Sequence, residues 1–305
     1  MSHIYLISPS GAVLDKAGLK RALTRFKSMG HEVELDADIL TRHQRFAGDD
    51  ATRLQAFARA AASGADAVMI TRGGYGLTRV LPQLPYAAIA KSNQKGTRWL
   101  GFSDFTAFAL AAMSKRQVTT WAGPAMIESF GGQEPPHPIT QACFDDWISG
   151  STEGTGWRIG KDDPSNFVHE HLTLWGGNLA MVTALLGTPY MPNVSKGALF
   201  LEDVAEPAYR VERMLTQLAL SGVLAQQKVI FLGHFSQMAK GPLDTGYGMP
   251  QVVQWLRANT KAKVITGMPF GHVPGRIIVP VGACVDVAVQ GRECLVLWGH
   301  DHPHD

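Results

Sequence analysis

Cysteine is scarce, with only Cys143, Cys284 and Cys294 among 305 residues. An odd number, widely separated and without metal-ligand spacing, excludes a disulfide framework and a cysteine-built zinc site. Reduced, mostly buried thiols in a cytosolic protein are expected. Long apolar runs are missing as well, so no segment approaches transmembrane length. Residues 1–9 lack a basic leader and read as a first strand rather than a signal peptide, which again points to the cytoplasm. Neither sign of charge is in excess. Lys and Arg number 28 against 26 Asp and Glu, with no basic cluster, so nucleic-acid and anionic-membrane partners are not indicated. No group of His, Cys, Asp and Glu has ligand spacing, so neither a metal nor another cofactor is expected. With 45% apolar and 18% charged residues the chain is not a disordered one, and its length suits two domains with separate cores.

What is present is a regular alternation of short apolar runs and amphipathic segments. Residues 4–7 form a strand that stops at Ser8-Pro9-Ser10-Gly11. A helix over 17–29, a strand over 32–35, a helix over 51–62 and a strand over 67–70 follow. That strand runs into Thr71-Arg72-Gly73-Gly74-Tyr75-Gly76, and the next one, over 98–101, precedes Ser103. Strands alternating with helices at this spacing predict an α/β fold with a parallel sheet covered on both faces. Residues 118–120 add one more expected strand. Ligands sit outside the carboxyl ends of such strands, where the glycine loop and the Ser103 turn both lie.

Residues 131–165, rich in Gly and Pro, read as a connector with one short helix over 140–148. This gives an N-terminal domain over 1–130 and a second, smaller, β-rich mixed α/β domain over 166–305. In the second domain, strands are expected at 169–174, 198–201, 229–232 and 264–267, helices at 179–186 and 209–220, and nearly continuous β structure from 276 to 298.

Arg98-Trp99-Leu100-Gly101-Phe102-Ser103-Asp104-Phe105-Thr106 is a strand, a tight turn and the start of an apolar helix. A serine on such a turn is lifted clear of the sheet, and the amide after it points where an oxyanion would form. Ser103 is the candidate nucleophile. The same pair, Ser103-Asp104, also has the form of an ordinary helix N-cap.

A serine nucleophile needs a base, and the base an orienting acid. Among 11 histidines, His272 stands in a loop fixed by Gly and Pro just past a strand. His300, His302 and His304 crowd the polar tail, and His137 lies among prolines. For the acid, Glu202 and Asp203 end the strand over 198–201. Spacing does not choose between them, and a strand-end acid capping the next helix is an alternative.

Arg72-Gly73-Gly74-Tyr75-Gly76, Gly101-Phe102-Ser103-Asp104-Phe105-Thr106, Trp175-Gly176-Gly177-Asn178-Leu179-Ala180, Leu186-Gly187-Thr188-Pro189, Leu201-Glu202-Asp203-Val204, Tyr209-Arg210-Val211-Glu212-Arg213-Met214-Leu215 and Gly271-His272 stand in the order seen in LD-carboxypeptidases. From the first strand to Trp298 the chain resembles that family's bacterial murein tetrapeptide carboxypeptidases. The resemblance implies a triad of Ser103, Glu202 and His272, and oxyanion donors at the backbone amides of Gly74 and Asp104. It also implies an N-terminal domain similar to the class I glutamine amidotransferase sheet, a homodimer, and a small peptide substrate. That substrate is a murein tetrapeptide losing its terminal D-alanine in wall recycling.

An exopeptidase must detect a free carboxylate, and Arg72 is the nearest cation to the glycine loop. It is equally a structural anchor for that loop. Tyr75 and Trp175 either line the pocket or pack. Three other readings stand beside this one: a same-family immunity peptidase cutting peptide–nucleotide antibiotics, an α/β-hydrolase-type esterase, and a non-catalytic small-molecule binder. The esterase lacks its second elbow glycine here, and a phosphate-binding loop lacks its Lys-Ser/Thr.

Overall fold

The structure, a computed structural model, describes residues 1–299. The first half runs β1 (His3–Ile7), α1 (Lys16–Ser28), β2 (Glu32–Leu35), α2 (Asp50–Ala62), β3 (Ala67–Ile70), α3 (Leu77–Val80), α4 (Tyr86–Gln94), β4 (Arg98–Gly101), α5 (Phe105–Arg116), β5 (Thr120–Ala122) and α6 (Met126–Phe130). Two of the helix starts have a clear local cause. Asp15 accepts a hydrogen bond from Gly18 N at 2.7 Å at the head of α1, and Asp49 accepts from Thr52 N at 2.8 Å at the head of α2. The strand expected at 118–120 lies two residues later, as β5.

The chain continues through α7 (Pro138–Ser149), β6 (Gly154–Arg158), β7 (Phe167–Asn178), α8 (Leu179–Ala184), β8 (Gly197–Val204), α9 (Ala208–Leu220), β9 (Gln227–Ser236), α10 (Met249–Ala258), β10 (Lys263–Thr266), β11 (Val279–Val281), β12 (Cys284–Gln290) and β13 (Glu293–Leu297). In α9 the buried residues Ala208, Val211, Met214, Leu215 and Leu218 form one apolar stripe, as the sequence periodicity predicts.

Two sheets result. The first has six strands in the order β11-β5-β4-β3-β1-β2, with β1 to β5 parallel and β11 antiparallel at the edge. The second has seven, in the order β10-β9-β8-β7-β12-β13-β6. Its β7 to β10 are parallel and the remainder antiparallel.

The sheets do not divide where the sequence divides. Within the expected connector, α7 sends Phe144 and Trp147 into the core shared with Phe26 and Phe130 of the first half, while β6 closes the edge of the second sheet. Val279, Pro280 and Val281, all buried, return to the first sheet against β5. An apolar Val-Pro-Val run must find a sheet to cover it, and the open edge of β5 provides one.

α5 joins the two halves. Its residues Phe105 to Ala112 are all buried, because the helix packs on β5 on one side and on β7 and α8 on the other. A helix apolar all round is a helix inside a protein.

Candidate active site

Ser103 stands two residues past β4 with φ +63°, a conformation that costs a non-glycine residue about 1 kcal/mol or more. The turn is held by hydrogen bonds from Phe105 N to Phe102 O at 3.2 Å and from Thr106 N to Ser103 O at 3.0 Å. The glycine loop comes up beside it. A Cβ on Gly73 would lie 2.7 Å from Ser103 Cβ, so only glycine admits this approach. The N–H groups of Gly74 and Asp104, one on each loop, donate to no acceptor among the described residues.

Asp104 does not behave as the N-cap that the sequence pattern also allowed. Its side chain makes no hydrogen bond to its own helix and turns instead toward Ser10 and Leu77. Burial pushes its carboxyl group up from the ordinary range, against hydrogen bonds from Ser10 and from backbone amides that favour the charged form.

The second sheet supplies the acid. Glu202, in β8, is 0% exposed and accepts hydrogen bonds from His272 Nδ1 at 2.8 Å and from Asn178 Nδ2 at 3.2 Å. Asp203 faces a different set of partners. It accepts from Asn178 Nδ2 at 2.9 Å, Val204 N at 2.9 Å and Ala180 N at 3.0 Å. Spacing left the choice between the two carboxylates open, and the geometry sets Glu202 on the imidazole. Burial, with the adjacent Glu202 charge adding to it, pushes Asp203 up to about 6 against those three donors.

Asn178 links the halves. Its backbone N–H donates to Thr106 Oγ1 in the first turn of α5 at 3.0 Å, and its side chain holds both acids. The approach is close enough that a Cβ on the preceding Gly177 would lie 2.4 Å from Thr106 Oγ1.

His272 follows β10 in a loop that ends at β11, so the chain passes from the second sheet back to the first at this residue. The loop is fixed on both sides. Ser236 Oγ donates to His272 O at 3.2 Å, and Thr140 Oγ1 donates to Pro274 O at 2.9 Å. His272 Nε2 lies 3.1 Å from Ser103 Oγ. An ionised carboxylate only accepts, so Nδ1 carries the proton shared with Glu202 and Nε2 is left to accept from the Ser103 hydroxyl.

The imidazole packs on Phe102 at 4.4 Å between ring centres, and the Arg276 guanidinium lies over the same ring at 4.2 Å from its centre. Arg276, 5% exposed, was missed in the sequence, where only an arginine four residues after His272 marks it. A cleft of about 360 Å³ opens beside His272, lined by Glu128, Glu134, Pro136, His137, Val273 and Arg276. A larger hollow of about 620 Å³ lies between α2 and α4 next to Asp66 and Thr97, at the opposite ends of the strands, far from this chemistry.

The other expected residues separate. Arg72 is half-buried, and its Nη1 donates to Ala12 O at 3.4 Å, a loop-anchor contact. Tyr75 is 41% exposed beside the glycine loop, with Arg45 over its ring. Trp175 lines neither of these two hollows. It is 1% exposed, deep in the core, with Nε1 donating to Gln227 Oε1 at 2.9 Å, because it stands in the buried second half of β7, an interior strand between β8 and β12. His137 caps α7, accepting from Ile139 N at 3.3 Å. His300, His302 and His304 lie outside the described residues. Among the described residues no helix is long and apolar enough to cross a membrane.

Residues 4–123 match the LD-carboxypeptidase N-terminal domain and residues 173–287 the LD-carboxypeptidase C-terminal domain. The crystal structure of muramoyltetrapeptide carboxypeptidase from Oxalobacter formigenes superposes with a TM-score of 0.89 at 37% identity, covering 99% of this chain and 100% of that one. A probable murein peptide carboxypeptidase of Bacillus subtilis is 28% identical over 274 residues, 88% of this chain and 83% of its own. The microcin C7 self-immunity protein MccF of Escherichia coli is 29% identical over 259 residues, 75% of this chain and 73% of its own.

Proposed function

This chain belongs to the LD-carboxypeptidase family, and we propose that it is a serine-type member releasing the terminal D-alanine from murein tetrapeptide fragments, in the cytoplasm, during wall recycling. What supports the reading is the unbroken chain of contacts from Ser103 Oγ through His272 to Glu202.

In this mechanism Ser103 Oγ attacks the carbonyl joining the L-centre of the diamino acid to D-alanine, and His272 Nε2 takes the hydroxyl proton. Glu202 holds the imidazole in the required tautomer and stabilises the imidazolium as it forms. The negative charge developing on the carbonyl oxygen falls to the amides of Gly74 and Asp104. His272 then returns its proton to the leaving amine, and water cleaves the acyl-enzyme by the same route.

The higher identity to the Oxalobacter formigenes enzyme, 37% against 29% for MccF, favours a murein substrate over a peptide–nucleotide antibiotic. The test is incubation of the purified protein with a murein tetrapeptide while free D-alanine is followed, with a fluorophosphonate labelling experiment in parallel. Stoichiometric D-alanine and label on Ser103 are expected. Cleavage of a peptide–nucleotide without D-alanine release would move the protein to the immunity class. Neither cleavage nor labelling would leave a binder.

A further inference from the structure

Two backbone amides stabilise an oxyanion only while their separation holds, and Gly74 and Asp104 sit on different loops, one after β3 and one after β4. The pairing of β3 with β4 sets where the two loops leave the sheet but not how they lie beyond it. The Asp104 carboxylate, from a residue 1% exposed, spans their separation. Its Oδ2 accepts from Leu77 N at 3.0 Å, where α3 begins directly after the glycine loop, and from Ser10 Oγ at 2.7 Å, in the loop after β1.

That third loop is itself bound to the glycine loop, since Gly11 N donates to Gly73 O at 3.3 Å. Below them Arg53, 0% exposed, donates from Nη1 to Gly76 O at 2.9 Å and to Pro9 O at 3.2 Å. One carboxylate and one guanidinium thus clasp three loops beneath the nucleophile turn.

Stability alone does not account for this use of an aspartate. Its side chain leaves its own helix uncapped, and Oδ1 is buried with no hydrogen-bond partner among the described residues. A desolvated, half-satisfied carboxylate is a costly group, and an ordinary cap would serve α5 better.

We infer that Asp104 is a positioning residue of the oxyanion hole: its amide is one donor, and its carboxylate, through Leu77 and Ser10, fixes the loop that carries the other. This rests on the proposed reading that the Gly74 and Asp104 amides receive the oxyanion.

An interaction made only in the transition state shows in kcat and not in KM. The experiment measures D-alanine release from a murein tetrapeptide by wild type, Asp104→Asn, Asp104→Ala and Ser10→Ala, each normalised to sites titrated with a fluorophosphonate. Asparagine keeps an oxygen for Leu77 and Ser10, and alanine keeps none. Asp104→Ala is expected to lower kcat per titrated site by about 10- to 100-fold with KM within about threefold, the range for a misplaced oxyanion donor. Asp104→Asn should recover most of that loss, and Ser10→Ala should lower kcat by about threefold.

A merely structural role would lower the titre and the melting temperature and leave kcat per site unchanged, and that result overturns the inference. Should Asp104→Ala not fold, Ser10→Ala decides: unchanged kcat per site overturns the inference, and a selective fall in kcat supports it. Wild-type protein that neither titrates nor releases D-alanine removes the proposed function, and the inference with it, before any variant is compared.

Discussion

The part of the site around Ser103 and the part around His272 are built by different means. Around Ser103 the main chain presents the reacting groups, through a positive φ, a glycine that lets another loop touch the serine, and two amides with no acceptor among the described residues, with the Asp104 carboxylate bracing the loops behind them. Around His272 the side chains do it, with Asn178 gripping two buried acids and Glu202 gripping the imidazole. The first part stores backbone strain at the point of reaction. The second part stores buried charge. Each is destabilising by itself and is held in place by packing elsewhere, a common arrangement where a fold carries a reactive group.

The contrast can be broken first at the serine. Ser103→Ala should lower turnover by on the order of a millionfold, as nucleophile deletions do in serine hydrolases, with the far-ultraviolet spectrum unchanged. Substantial D-alanine release by that variant would end the mechanism. Ser103→Gly should be equally inactive and more stable than Ser103→Ala by about 1 kcal/mol in urea, because glycine adopts φ +63° without penalty. Equal stabilities would show that the turn is unstrained.

In the other part, Glu202→Gln should lower kcat by about 10⁴-fold through loss of the correct tautomer while folding normally. A small effect would mean that the imidazole is positioned by its loop and not by the acid.

The buried charge is testable through pH. Asp203 is raised from 3.8 to about 6, so the native state holds its proton more tightly than the unfolded chain does. Its contribution is therefore complete below about pH 4 and is lost as pH rises through about 6, by up to about 3 kcal/mol. Urea midpoints between pH 4 and pH 7 should show wild type losing stability relative to Asp203→Asn over that window. Parallel curves would place the cost elsewhere. The smallest effect concerns the core beneath. Trp175→Phe should cost about 2 kcal/mol, from the lost ring volume and the Gln227 acceptor left unpaired, with kcat unchanged, in keeping with its burial away from the cleft.

Much of this was legible in the chain. Buried strands such as Ala67–Ile70 and helices with a full apolar stripe such as Ala208–Leu220 announce themselves, because burial selects apolar residues at the period of the element. Elements with little to bury did not. Tyr86–Gln94 buries only Ile89 and Ser92, Met249–Ala258 only Val252 and Leu256, and the edge strand Gly154–Arg158 carries two glycines in five residues. Trp175 stayed open between pocket and core for the opposite reason, since an aromatic beside two glycines looks the same whichever way its strand is covered.

The serine turn, the loop histidine and the pair of acids were determined by the amino-acid sequence itself, since each depends on residue type and immediate neighbours. Which acid meets the histidine, which sheet receives Val279–Val281, and where the Asp104 carboxylate points were decided only by the tertiary structure. Those outcomes depend on partners distant in the chain, 27 residues apart for Leu77 and Asp104 and 70 for Glu202 and His272. Local periodicity carries no information about them, and the packing of α5 between two sheets does.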